Sequence, residues 1–211
     1  LESMQTFLDA GVNITMVQVG NELSNGLLWP EGKVPNYDNI ATFVNAGIRA
    51  VRKADAAIPV MIHLDNGGNN ALYREWFDNF TKRGEDFEII GLSYYPFWDG
   101  TNENMQNVAK NIMDRYGKKV VIAETSYCYT EKDGDGFGNS FDGIEDAVDG
   151  YAPTVQSQAT MIRDICAAAN EVGVLGVFYW EGTWIPVGSE DQDNSALWEK
   201  YGSGWASSYS A

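Results

Sequence analysis

Apolar and polar positions alternate along the chain between two periods, and each change of period marks an element. Ser3 to Ala10 carries Met4, Phe7 and Leu8 on one helical face, with Ser3 placed to cap it and Gly11 to stop it. Val12 to Gly20 reads as a first strand, with Met16-Val17-Gln18-Val19-Gly20-Asn21-Glu22 as its apolar, β-branched end. Leu23 to Asn36 is rich in Gly, Pro and Asn and reads as a loop. Helical spacing returns over Tyr37 to Ala57 through Ile40, Phe43, Val44, Ile48 and Val51. Pro59 to Leu64 is the second strand, ending at His63, Asp65 and Asn66, and Ala71 to Arg83 the next helix. Phe87 to Tyr95 forms a third strand broken by Pro96, followed by a helix over Asn102 to Tyr116. Lys119 to Glu124 is the fourth strand, and a polar Gly-rich loop runs from it to about Pro153. A helix over Thr154 to Val172 then leads to a fifth strand, Val174 to Trp180.

Apolar strands that alternate strictly with helices, with no hairpin signal between them, predict an α/β fold with a parallel sheet. A doubly wound sheet lacks its usual support, since no Gly-rich phosphate turn follows any strand. Polar residues at the ends of all five strands favour a (β/α)8 TIM barrel, whose site gathers from its βα loops. A closed barrel needs eight strands in about 250 residues, so the 211-residue chain reads as an incomplete barrel. The whole of 1–211 is expected to be one partial catalytic domain, truncated at both ends, with about three strands missing upstream.

Composition narrows the chemistry. Thirty acidic against fourteen basic residues give a net charge of −16, which repels phosphate backbones and anionic lipid and argues against nucleic acid or membrane as partners. No apolar run approaches the roughly 20 residues needed to span a bilayer. The 13% of aromatic residues, seven of them Trp, suit the apolar faces of sugar rings. Cys128 lies just after a strand and Cys166 in a helical pattern, which predicts two unlinked thiols.

Glu22 and Glu124 each close an apolar strand, so both are expected at one C-terminal rim. Two carboxylates there are the minimal machinery for acid/base and nucleophilic work on a glycosidic bond. Glu181 ends the fifth strand and is the rival; Asp65 and Asp99 are further rim carboxylates. His63, the single histidine, completes no Ser-His-Asp triad and no His cluster for a metal. It reads equally as a substrate ligand or as a buried hydrogen-bonded group. Asp133-Gly134-Asp135-Gly136-Phe137-Gly138-Asn139 sets oxygen ligands at alternating positions on a loop, an arrangement Ca2+ accepts, although not an EF-hand.

With Gly20-Asn21-Glu22, Ala123-Glu124-Thr125-Ser126, Gly91-Leu92-Ser93-Tyr94-Tyr95-Pro96-Phe97-Trp98 and Tyr179-Trp180-Glu181 in view, the chain resembles glycoside hydrolase family 53, the arabinogalactan endo-β-1,4-galactanases. The resemblance extends over essentially the whole chain, with Tyr201-Gly202-Ser203-Gly204-Trp205 similar to a late loop of that family. It implies that the visible strands are barrel strands four to eight. It implies a retaining hydrolase acting on the galactan side chains of pectin, with Glu22 as acid/base and Glu124, three strands on, as nucleophile. On the same footing Asn21, His63, Asp65, Tyr95, Trp98 and Trp180 are expected to bind substrate, Tyr95 being preferred to Tyr94 for contact with the nucleophile because it shares a face with Ser93. No cofactor is required for catalysis. A structural Ca2+ at Asp133, Asp135 and Asn139 is implied, although the family's bacterial members carry His where this chain has Phe137. The resemblance also implies secretion. Two other readings stay open: another retaining glycosidase of the same clan acting on a different β-linked glycan, and a non-catalytic glycan-binding or structural fragment. An open arc of strands is also expected to self-associate.

Overall fold

The computed structural model describes residues 1–132, 141, 144–180, 182, 196 and 200. Five strands, β1 (Val17–Gln18), β2 (Val60–Leu64), β3 (Ile89–Ser93), β4 (Lys119–Thr125) and β5 (Val177–Tyr179), form one sheet in the order β1-β2-β3-β4-β5. Every pairing is parallel. Sequential order means that each crossover advances in the same direction, so helices collect on one side of the sheet, as in a barrel wall. A doubly wound sheet would reverse its order at a switch point.

Four of the helices start where a side chain caps them, and each buries an apolar stripe. Asn36 accepts from Asn39 N at the start of α2 (Tyr37–Ala54), Asn69 from Leu72 N at α3 (Asn70–Phe80), and Thr101 from Asn104 N at α5 (Asn102–Tyr116). Thr154 does the same for Ser157 N at α6 (Val155–Glu171). α1 (Glu2–Asp9) precedes β1 and begins one residue before Ser3, which therefore lies inside the helix and does not cap it, and a single turn, α4 (Pro96–Asp99), follows β3.

Strand alternation splits the buried residues into two groups. Val60, Ile62 and Leu64 of β2, Ile90 and Leu92 of β3 and Val120 and Ile122 of β4 join the helix stripe Ile40, Val44, Ile48 and Val51 in the large outer core. The intervening positions Met61, Ile89 and Val121, with Met16 and Ala123 packed against them, make a smaller cluster on the inner, concave face. Further along the same inner phase lie His63 and Ser93.

Most expected elements are present, with shorter bounds. Only Val17 and Gln18 of the first expected strand are formal strand, because β1 pairs with β2 alone among the described residues. β3 ends at Ser93 rather than Tyr95, and Pro96 opens a helical turn, its fixed φ suiting a first helical position. The stretch after Glu22 is a short 3-10 turn, Leu23–Asn25, and Gly26 bridges to Lys33 across the loop that follows. Among the described residues no helix is long and apolar enough to cross a membrane. Cys128 and Cys166 are both free thiols. Cys128 is buried, and burial pushes its thiol up to about 12.

Candidate active site

Glu22 leaves the end of β1 in a left-handed conformation, φ 49° and ψ 58°. Gly20, at φ +79°, makes the preceding turn, and a Cβ there would come within 2.8 Å of the Leu23 side chain. A non-glycine residue held in this region stores backbone strain, a feature that gathers at functional rims. Glu124 reaches the same side by a different device. The register of β3 with β4 runs Leu92↔Ile122 and then Ser93↔Glu124, so one extra residue is taken up in β4. This bulge keeps Glu124 on the inner face beside Ala123, where plain alternation would turn it outward.

The two carboxylates are thereby brought together. One carboxylate oxygen of Glu22, one of Glu124 and a ring nitrogen of His63 all lie within 4.8 Å of one another. Tyr95 donates its hydroxyl hydrogen to Glu124 Oε2 at 2.9 Å, whereas Tyr94 donates to the Gly100 carbonyl at 2.7 Å and packs in the outer core. Ser93 donates to Glu22 Oε1 at 2.6 Å.

His63 stands behind Ser93. It is 0% exposed, with Nε2 at 2.8 Å from Ser93 Oγ and Nδ1 at 3.1 Å from both Gln18 Nε2 and Asn21 Oδ1. Of the two readings open for it, this placement fits the buried hydrogen-bonded group. Burial lowers its pKa to about 4, so the ring is neutral near pH 7. Both ring nitrogens are engaged, so His63 and the two glutamates form a hydrogen-bonded assembly. Gly91 makes room for it: a Cβ there would stand 2.8 Å from Met61 Sδ and 3.3 Å from His63 Cβ.

A cavity of about 280 Å3 opens beside this core, lined by Glu22, Asp65, Asn66, Ser93, Tyr95, Trp98 and Asp99. Asp65 accepts from Asn66 Nδ2 at 2.8 Å through Oδ2, and its Oδ1 is buried with no hydrogen-bond partner. Trp98 is 59% exposed and meets Tyr95 edge-on, ring centroids 5.4 Å apart. Asp99 accepts from Tyr95 N at 2.8 Å, and burial raises its carboxyl to about 6 against that backbone bond. Asn21 has its carbonyl oxygen committed to Gln18 Nε2 at 2.9 Å, which leaves its amide N–H group as the part suited to a ligand. Trp180 is half-buried, its backbone N–H donating to Thr125 O at 2.9 Å.

Ser93 and Gln18 were not among the expected site residues. Each is a lone polar side chain on the inward phase of an otherwise apolar strand, and that is the signal they carry in the sequence. Asp133, Asp135 and Asn139 of the expected calcium loop lie outside the described residues, as do Glu181 and the tail at Tyr201 to Trp205.

Residues 1–210 match glycosyl hydrolase family 53. The endo-beta-1,4-galactanase of Bacillus subtilis is 44% identical over the whole of this chain and 49% of its own length. The probable arabinogalactan endo-beta-1,4-galactanase A of Aspergillus oryzae is 33% identical over 92% of this chain and 57% of its own. Among solved structures, the Ignisphaera aggregans GH53 catalytic domain superposes with a TM-score of 0.80 at 36% identity, covering 88% of this chain and 55% of that one. The five-stranded sheet with its helices is therefore an incomplete (β/α)8 barrel. The chain spans about half the length of the curated relatives it matches.

Proposed function

The chain belongs to glycosyl hydrolase family 53, and from that membership we propose that the full-length protein is a retaining endo-β-1,4-galactanase acting on the galactan side chains of pectin. Glu124 is the nucleophile and Glu22 the acid/base. In the first half of the reaction Glu124 attacks the anomeric carbon as Glu22 gives its proton to the departing glycosidic oxygen; a galactosyl ester on Glu124 forms and the C–O bond to the leaving chain breaks. In the second half Glu22 takes a proton from water, whose oxygen displaces Glu124 from the sugar.

The observation that carries this reading is the approach of the two carboxylates, with oxygens within 4.8 Å. Retaining enzymes hold their carboxyl groups about 5–5.5 Å apart, whereas inverting ones leave about 6.5–9.5 Å for a water molecule. Tyr95 supports the assignment of Glu124, since a hydroxyl donated to a carboxylate favours the ionised form that a nucleophile needs. Trp98 serves as a sugar platform beside the cavity, with Asp65 and the Asn21 amide as hydroxyl partners. A polysaccharide substrate too large to enter a cell calls for a secreted enzyme.

The test is hydrolysis of galactan, mannan and glucan by the full-length protein, with the anomeric configuration of the first product read by proton NMR. Galactan is the expected substrate, with β-configured product. Preference for another glycan would leave the two-glutamate chemistry and move the specificity elsewhere in the clan; α-configured product would remove the retaining mechanism.

A further inference from the structure

Tyr95 lies one residue past the point where β3 is held by its neighbours. In a parallel sheet, successive residues of a strand turn their N–H and C=O groups to opposite sides. Ser93 O accepts from Gly67 N on the β2 side and Tyr94 N donates to Glu124 O on the β4 side, so the Tyr95 N–H turns back towards β2. There β2 has already ended at Leu64. Asp99 takes the place of the missing strand. Its Oδ2 accepts from Tyr95 N at 2.8 Å, and its own N–H donates to Tyr95 O at 2.8 Å. One residue thus grips both backbone polar groups of Tyr95.

Asp99 is itself fixed from two sides. Asn104 Nδ2 donates to Asp99 O at 3.0 Å and to Gly68 O at 2.9 Å, which ties the turn after β2 to the turn after β3. Gly68 also donates its N–H to the Asp99 carboxylate, and a Cβ on Gly68 would overlap Asp99 O. A carboxylate can serve two N–H donors through two oxygens; an amide would offer one oxygen and turn an NH2 group on the other donor. Burial raises this carboxyl to about 6, so it remains largely ionised at neutral pH.

The phenol of Tyr95 is long and rigid, and it carries any backbone tilt out to the hydroxyl that meets Glu124 Oε2 at 2.9 Å. Misplacement by about 1 Å at a reacting group can lower a rate about 100-fold. We propose that Asp99 is a positioning residue that aims the Tyr95 hydroxyl at Glu124 by gripping the Tyr95 backbone, and that it acts on the reaction through that bond.

The proposal rests on Glu124 being the nucleophile, and a double-mutant cycle in the full-length protein separates the two. The rates kcat and KM on galactan are measured for Tyr95→Phe, Asp99→Ala and the two combined. Asp99→Ala should lower kcat by about ten- to a hundred-fold, as Tyr95→Phe does, with KM within about two-fold of the parent. Once the hydroxyl is gone there is nothing to aim, so the double variant should match Tyr95→Phe within about two-fold. Asp99→Asn, which keeps an acceptor for Tyr95 N, should recover part of kcat, and it carries the same cycle if circular dichroism shows Asp99→Ala unfolded. Losses that multiply in the double variant would overturn the proposal. A raised KM with unchanged kcat would overturn it too, and would put Asp99 on the substrate. Both results leave the role of Glu124 standing. If Glu124→Ala or Tyr95→Phe is as active as the parent, the reading of the nucleophile and its partner falls, and the proposal falls with it.

Discussion

Tyr95 donates to Glu124 Oε2 at 2.9 Å across the rim from β3 to β4. A hydrogen bond to an ionised group contributes about 1.5–3 kcal/mol, so Tyr95→Phe should lower kcat by about ten- to a hundred-fold. Loss of the donor also raises the pKa of Glu124, and the acidic limb of the pH profile should move to higher pH. An unmoved limb would show that the bond does not act on the nucleophile's charge.

Glu124→Ala removes the attacking group. Turnover should fall on the order of 10^4-fold, and azide should restore part of it by attacking from the vacated side, giving a glycosyl azide of inverted configuration. Rescue in Glu22→Ala with inversion, and not in Glu124→Ala, would exchange the two roles.

Trp98 is exposed, so its loss should touch substrate and not the fold. Trp98→Ala is expected to lower kcat/KM on galactan by about ten-fold, the equivalent of about 1–2 kcal/mol of lost ring contact. Urea unfolding should change by no more than about 0.5 kcal/mol. Unaltered kcat/KM would take Trp98 out of the binding site.

His63 and Asp99 should set opposing terms in the pH dependence of stability. Burial holds His63 at about 4, below its ordinary 6.5, so the unfolded chain binds that proton first and stability falls as pH drops from 6.5 towards 4. Burial raises Asp99 from 3.8 to about 6, so the folded chain binds that proton first and stability rises as pH drops from 6 towards 3.8. In Asp99→Asn the second effect is gone. Its urea midpoint should fall more steeply than the parent's between about pH 6 and pH 4; equal slopes would mean that Asp99 titrates as an ordinary carboxylate.

The sequence reveals the barrel more readily than the details of its rim. Alternating apolar strands and capped helices leave little choice beyond a parallel sheet, and the stripe Ile40, Val44, Ile48 and Val51 packs as its spacing requires. Glu22 and Glu124 are legible because each closes such a strand. Their convergence is less so, since it depends on a left-handed turn at Glu22 and a bulge before Glu124, and period-two patterning encodes neither. Ser93 and Gln18 escape for a related reason. One polar residue inside an apolar strand resembles noise until the neighbouring strand supplies His63. Tyr95 lies past the end of β3, where the helical turn at Pro96 fixes its position.

The pairing of Glu22 with Glu124 is tested most directly by trapping the covalent intermediate. A 2-deoxy-2-fluoro-β-galactoside with a good leaving group slows hydrolysis of the glycosyl ester, and peptide mass spectrometry of the full-length protein then locates the sugar. The label is expected on Glu124 and absent in Glu124→Gln. A label on Glu22 or Glu181, or none under conditions where galactan is cleaved with inversion, would contradict the account.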